Sequence, residues 1–223
     1  ISYETTNLSK QTIEEKIVAT GSVIPEDEVN IVPQISGIID EIFVEEGDEV
    51  VAGNLLAKIK VIPNGYDPED FSDMKKVRSE NKYISYVGNL GENYPIKPFL
   101  ESFQKLNAHD DSWKLSFVGN VGEQATNTIH RLKLNDAVEL HPYKPHSEAV
   151  QTMLNSDVLL LIIPEISENK GILTGKLFEY IATDNPIILI GPKDGNAAQI
   201  LSEFNNCSIH DYKEKINLEE VIN

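Results

Sequence analysis

The residues of this 223-residue chain best suited to chemistry lie in the stretch NKGILTGKLFEYIATDNPIILIG, positions 169–191. Small residues, Gly171, Thr174 and Gly175, precede an amphipathic segment carrying Lys176 and Glu179. A helix that starts there leaves backbone N–H groups unpaired at the positive end of its dipole, and an anionic phosphate would suit that end. A purely structural reading stands beside it, in which Thr174 caps the helix and Gly171 turns the chain. Two similar runs, ISYVGN and LSFVGN, end in Gly88-Asn89 and Gly119-Asn120, with their glycines 31 positions apart. The single Cys207 cannot form an internal disulfide, and no Cys/His spacing matches a metal site. Neither a metal nor a cofactor is expected.

These residues need a frame, and the texture beyond Asp67 supplies one. Strand-length apolar runs (KYISYVG, WKLSFVG, AVELHPY, DVLLLII, NPIILIG, NCSIHDY) alternate with longer amphipathic segments (IKPFLESFQKL, EQATNTIHRLKL, HSEAVQTMLN, TGKLFEYIAT, NAAQILSEF). Runs apolar enough to be covered on both faces, in that order, predict an α/β fold with a doubly wound parallel sheet. The 31-residue echo is then one strand–helix unit. Ligands of such sheets bind outside the carboxyl ends of the strands. Gly88, Asn89, Gly119, Asn120 and the HPYKPH and PEISENKGILTGK loops should therefore share one rim.

Residues 1–60 read differently, as short β-rich runs (KIVATGSV, VNIVP, GIIDEIFV, EVVAG, LLAKIKV) punctuated by Gly and Pro. The turn chemistry of EEGDEV and AGN, with Gly47 and Gly53 six positions apart, implies a tight reversal. The expected organisation is a small β segment over 1–60 and an α/β domain over 61–223. Net charge is -17 and both parts are acidic, so nucleic acid is not an expected partner. The longest apolar run, residues 158–163, falls far short of the ~20 residues of a membrane-spanning helix. The N-terminus has neither a starting Met nor the basic and apolar stretches of a secretion signal, and an upstream piece is expected to have been removed.

The stretch VPQISGIIDEIFVEEGDEVVAGNLLAKI resembles the lipoyl-like half-motif of periplasmic adaptor (membrane-fusion) proteins. In lipoyl domains proper, the frame laid on Gly47, Asp48, Val50, Gly53 and Leu56 continues to a cofactor-bearing lysine, and that position is Pro63. The resemblance implies a structural module, an incomplete barrel-sandwich hybrid whose second half does not follow. Its unpaired strand edges should be met by another copy or by the α/β domain, so self-association is expected.

VIPNGYDPEDF, YISYVGNL, HSEAVQTMLNSDVLLLI and GKLFEYIATDNPIILIG together resemble the C-terminal, Rossmann-like half of a retaining group 1 glycosyltransferase of the GT-B kind. This implies that Glu179 holds the ribose hydroxyls and that the backbone of Ile172, Leu173, Thr174, Gly175 and Lys176 cradles the diphosphate. The loop over 141–145, with Pro142 and Tyr143, would be the wall beside the base, near Gly88 and Asn89. This chain departs from the family in having Gly171 where the pattern has an acid, and Asn89 and Tyr94 near its usual Arg and Lys. Lys97 and Lys176 are the replacement cations. The implied function is a donor domain binding a nucleoside-diphosphate sugar, inactive in transfer without the acceptor domain, with no catalytic residue assigned. The alternative is an adaptor subunit of an envelope pump, or an artificial fusion meeting at the shared VIPN. The first reading implies a cytoplasmic location, the second a periplasmic one.

Overall fold

The computed structural model describes residues 2–5, 10, 38–60 and 65–222. The chain divides at Ser36/Gly37 into two compact units, and all the named strands and helices belong to the second. The expected runs KIVATGSV and VNIVP lie outside the described residues.

Strand β1 (Ile38–Ile42) pairs antiparallel with β2 (Ala57–Lys60), with a register shift between Ile39 and Glu41. The loop between them makes two side-chain-locked turns. Asp48 accepts from the Glu45 amide at 2.7 Å, Asn54 accepts from the Val51 amide at 2.8 Å, and Gly47 and Gly53 take φ of 97° and 94°. EVVAG was expected to be a strand and is not one. A turn over Val51–Asn54 ends the run: the Val51 amide donates to Asn54 Oδ1 at 2.8 Å and the Asn54 amide to the Val51 carbonyl at 3.0 Å, and the Val50 and Val51 side chains are both exposed.

Downstream, six parallel strands form the sheet: β3 (Lys82–Val87), β4 (Trp113–Val118), β5 (Val138–His141), β6 (Val158–Ile162), β7 (Ile187–Ile190) and β8 (Cys207–His210), in the order β5-β4-β3-β6-β7-β8. The chain winds outward from β3 to β5, crosses back to lay β6 beside β3, then winds outward the other way. That is the doubly wound, Rossmann-like order. Helices α2 (Lys97–His109) and α3 (Glu123–Arg131) cover one face, placing Phe99, Phe103 and Ile129 on Ile84, Tyr86 and Phe117. Helices α4 (His146–Asn155), α5 (Gly175–Ala182) and α6 (Asn196–Leu201) cover the other, placing Met153, Leu177 and Leu201 with Val87, Leu159 and Leu189. Every residue of β6 and β7 is buried, which is why both read as unbroken apolar runs. Short helices α1 (Glu69–Ser72) and α7 (Leu218–Val221) complete the elements.

The echoed motifs are neighbours in space. Lys82↔Trp113 through Val87↔Val118 all pair at the sequence offset, and Leu90↔Val121 extends the match as a bridge. The segment before β3 is fastened across α4 and the foot of β7. Lys76 Nζ donates to the Ser156 carbonyl at 2.7 Å and to Asn185 Oδ1 at 3.0 Å, the Val77 amide donates to Asn155 Oδ1 at 2.9 Å, and Gln151 Nε2 donates to the Lys75 carbonyl at 2.9 Å.

At the reversal of strand order the ladder opens. β3 and β6 pair only at Ile84↔Val158 and Ser85↔Leu159, and beyond that point the Val87 amide donates to the buried Tyr180 hydroxyl at 2.9 Å. Tyr180→Phe should cost about 1–3 kcal/mol by stranding that amide, as read from urea unfolding. An unchanged midpoint would mean that water replaces the hydroxyl.

Candidate functional site

The loops after β3 and β4 turn through Gly88 (φ 127°) and Gly119 (φ 126°), a region closed to most side chains. They are tied together: the Asn120 amide donates to Asn89 Oδ1 at 3.3 Å, and the Leu90 amide to the Asn120 carbonyl at 2.8 Å. Asn89 thus links two loops while staying exposed.

Across the opening, Thr174 precedes α5 with extended backbone (φ -84°, ψ 146°). The expectation that it merely caps the helix is not met, because its side chain makes no capping bond. Its Oγ1 is buried without a hydrogen-bond partner among the described residues. A buried hydroxyl left in that state is an unmet interaction. Ile172 and Leu173 turn their side chains into the second core cluster, and Gly175 is exposed at the helix start. Gly171 needs no special backbone. Its φ lies outside the positive region and an added Cβ would meet nothing within 4 Å, so the missing acid there is not a demand of the turn. Gly171→Ala should leave stability unchanged or raise it by about 0.4–1 kcal/mol, readable from the thermal midpoint. A clear loss would show that the glycine is needed.

Lys176 reaches from the first turn of α5 into the opening between β3 and β6. Its Nζ donates to Tyr86 Oη at 2.9 Å, lies 4.1 Å from the Tyr86 ring centroid, and sits 2.8 Å from where a Cβ on Gly88 would stand. Tyr86 in turn donates to the Asn89 carbonyl at 2.9 Å. Burial pulls the Lys176 ammonium down to about 8, with Glu179 pulling in the opposite direction. The other candidate cation, Lys97, pairs with Glu101 on α2 at 3.7 Å. Glu179 lies three residues beyond Lys176, half-buried, and among the described residues it takes part in no hydrogen bond or salt bridge. Its charge is nonetheless felt by Lys176 and by His146 at the start of α4. His146 is held by Asp70 at 2.8 Å, which raises its pKa. Pro142 and Tyr143 stand exposed on the loop after β5.

The opening thus offers one buried ammonium, a helix start, an unpartnered hydroxyl and a carboxylate with its acceptors free. Two tyrosines outside the sequence-based candidates, Tyr86 and Tyr180, organise it, and only the split between β3 and β6 reveals their role.

A model of the family "glycosyl transferases group 1" matches residues 68–223. The chain belongs to that family. Among solved structures, this glycosyltransferase domain is similar to sucrose-phosphate synthase from Thermosynechococcus elongatus, with a TM-score of 0.58 at 13% identity over 73% of this chain and 42% of that one. It is also similar to Anabaena HepE in complex with UDP and glucose, with a TM-score of 0.56 at 15% identity over 73% of this chain and 46% of that one. These likenesses concern the fold. The glycosyltransferase chain spans less than half the length of either structure, and the family match leaves residues 1–67 outside it. No curated protein matches the chain.

Proposed function

We propose that the α/β part, taken as residues 61–223, is the donor half of a two-domain glycosyltransferase. It binds a nucleoside-diphosphate sugar in the opening between β3 and β6. The observation that carries this reading is the Lys176 ammonium, set between the start of α5 and Gly88 with Glu179 one turn beyond. In this reading the diphosphate meets Lys176, the first amides of α5 and the Thr174 hydroxyl, the ribose donates to Glu179, and the base lies toward Pro142 and Tyr143. HepE, whose structure holds UDP and glucose, lends the ligand class to the proposal.

Sugar transfer breaks the bond between the sugar and the diphosphate, and negative charge develops on the departing phosphate. A fixed ammonium and helix-start amides aimed there stabilise it most in the transition state. Holding the acceptor in line needs the second domain, so the chain alone should bind donors without turning them over. The β segment, with Ile39, Ile42, Val51 and Leu55 exposed, is proposed to associate with a second copy. The adaptor reading draws no support from the family match.

Calorimetric titration with UDP, GDP, ADP and the matching nucleosides tests the donor site. At least one diphosphate should bind more tightly than its nucleoside, and equal affinities would remove the assignment. The Lys176 ammonium also fixes a pH dependence. It is charged below its pKa of about 8, so diphosphate affinity should be full at pH 7 and fall as pH rises through that value, by at most about tenfold per unit. Lys176→Met should flatten the profile. A parent profile that is flat from pH 7 to pH 9 would show that the ammonium does not face the ligand.

A further inference from the structure

A second pocket lies on the flank of the sheet that carries β4 and β5, on the α4 side; it shares neither Lys176, Thr174 nor Glu179 with the donor site, and meets that site only at the 141–145 loop, from which His141 and Lys144 enter its lining. Strand register sets Ser85, Ser116 and Glu139 in one row across β3, β4 and β5. Ser85 and Ser116 are 1% and 4% exposed. On β6 and β7 the same face is filled by Leu159, Leu161, Ile187 and Leu189. Serines at such depth leave space where apolar side chains would close the packing, and the space measures about 170 Å³.

Every residue of its lining carries a polar group, and these brace one another. Glu139 accepts from Tyr83 Oη at 3.2 Å and meets His141 Nε2 through its other oxygen at 3.2 Å. The Ser85 and Ser156 hydroxyls bond at 2.7 Å, and Lys144 Nζ lies 3.5 Å from Thr152 Oγ1. Ser116, also in the lining, makes no side-chain hydrogen bond among the described residues. Glu139 keeps further lone pairs, since each carboxylate oxygen accepts about two bonds.

We propose that this pocket binds one neutral sugar ring, independently of the donor. At roughly 30 Å³ per water it holds five or six waters, well under the ~300 Å³ from which drug-sized ligand sites begin, so a nucleotide does not fit. A ligand that displaces ordered waters must reproduce their hydrogen bonds. A pyranose does so with a ring of hydroxyls that each donate and accept, whereas an apolar molecule does not. The Glu139 carboxylate and the Lys144 ammonium offset one another in the lining, so an anion or a cation would face its like. The proposal goes beyond the donor site and does not rest on it.

The test is ligand-observed NMR and calorimetry on the whole chain with glucose, galactose and mannose, and with glycine, inorganic phosphate and UDP as controls. One hexose should bind with Kd on the order of 1 mM. Saturating UDP and Glu179→Ala should leave that binding unchanged. Glu139→Gln, which keeps the shape, and Ser116→Val, which fills the space, should each weaken it about tenfold or more. Unfolding curves establish that both variants fold. The proposal is overturned if no hexose binds, if UDP displaces the hexose, if glycine or phosphate occupies the pocket instead, or if binding survives both folded variants.

Discussion

Glu179→Ala is expected to weaken every ribonucleotide ligand of this domain by roughly 1.5–3 kcal/mol, the scale of hydrogen bonds to a charged group. The carboxylate is half-buried and uncommitted, so a ribose that donates to it finds an acceptor needing no rearrangement. The loss should be shared by nucleosides and diphosphates, because both carry the ribose. Lys176→Met should behave otherwise, weakening diphosphates by a similar amount and leaving nucleosides alone. Thr174→Pro should also act on diphosphates, by removing an amide donor and disturbing the turn. Calorimetry on the four chains separates these contributions. If Glu179→Ala binds the best diphosphate as tightly as the parent, the ribose assignment fails, and the fold alone implies no activity.

Gly119→Ala should be the most damaging single methyl added to the sheet. The new Cβ would stand 2.5 Å from the Gly88 carbonyl oxygen and 2.9 Å from its carbon, at φ +126°. Both obstacles are backbone, and neither can swing aside. The left-handed conformation alone costs about 1–3 kcal/mol, and the overlap raises the total to roughly 3–5 kcal/mol. Gly88→Ala has nearly the same φ but meets the tip of Lys176, a flexible side chain that can withdraw. It should fold better than Gly119→Ala and bind diphosphate worse than the parent. Urea midpoints that rank the two variants the other way would contradict the close approach of the two loops.

The centre of the sheet was readable because β6 and β7 are buried on both faces, so DVLLLII and NPIILIG carry their assignment in composition alone, whereas the edge strands β5 and β8 are only partly buried. The echo of ISYVGN in LSFVGN marked one strand–helix unit, and the structure adds that its offset is also the pairing offset of β3 and β4. The candidate residues beside Gly88 and at the start of α5 were readable as a rim of the sheet, but their contacts were not. A lysine at a helix start reads as a solvated charge. That its ammonium enters the sheet depends on the ladder between β3 and β6 stopping at Ser85, which no local pattern announces. Tyr180 in an amphipathic helix reads as core, and its hydroxyl bond to Val87 joins residues 93 positions apart. The EVVAG misreading has the reverse cause, because two adjacent valines outweighed the side-chain bond from Asn54 that makes the turn.

The fastening of Lys75, Lys76 and Val77 across α4 and the foot of β7 has a mechanical consequence. Those bonds act on a backbone stretch of three residues and grip α4 through Gln151, Asn155 and Ser156, with Asn185 as a second anchor. A pull delivered through the preceding chain would meet the Asp70–His146 contact first and these four bonds next, so load reaches α4 before β3.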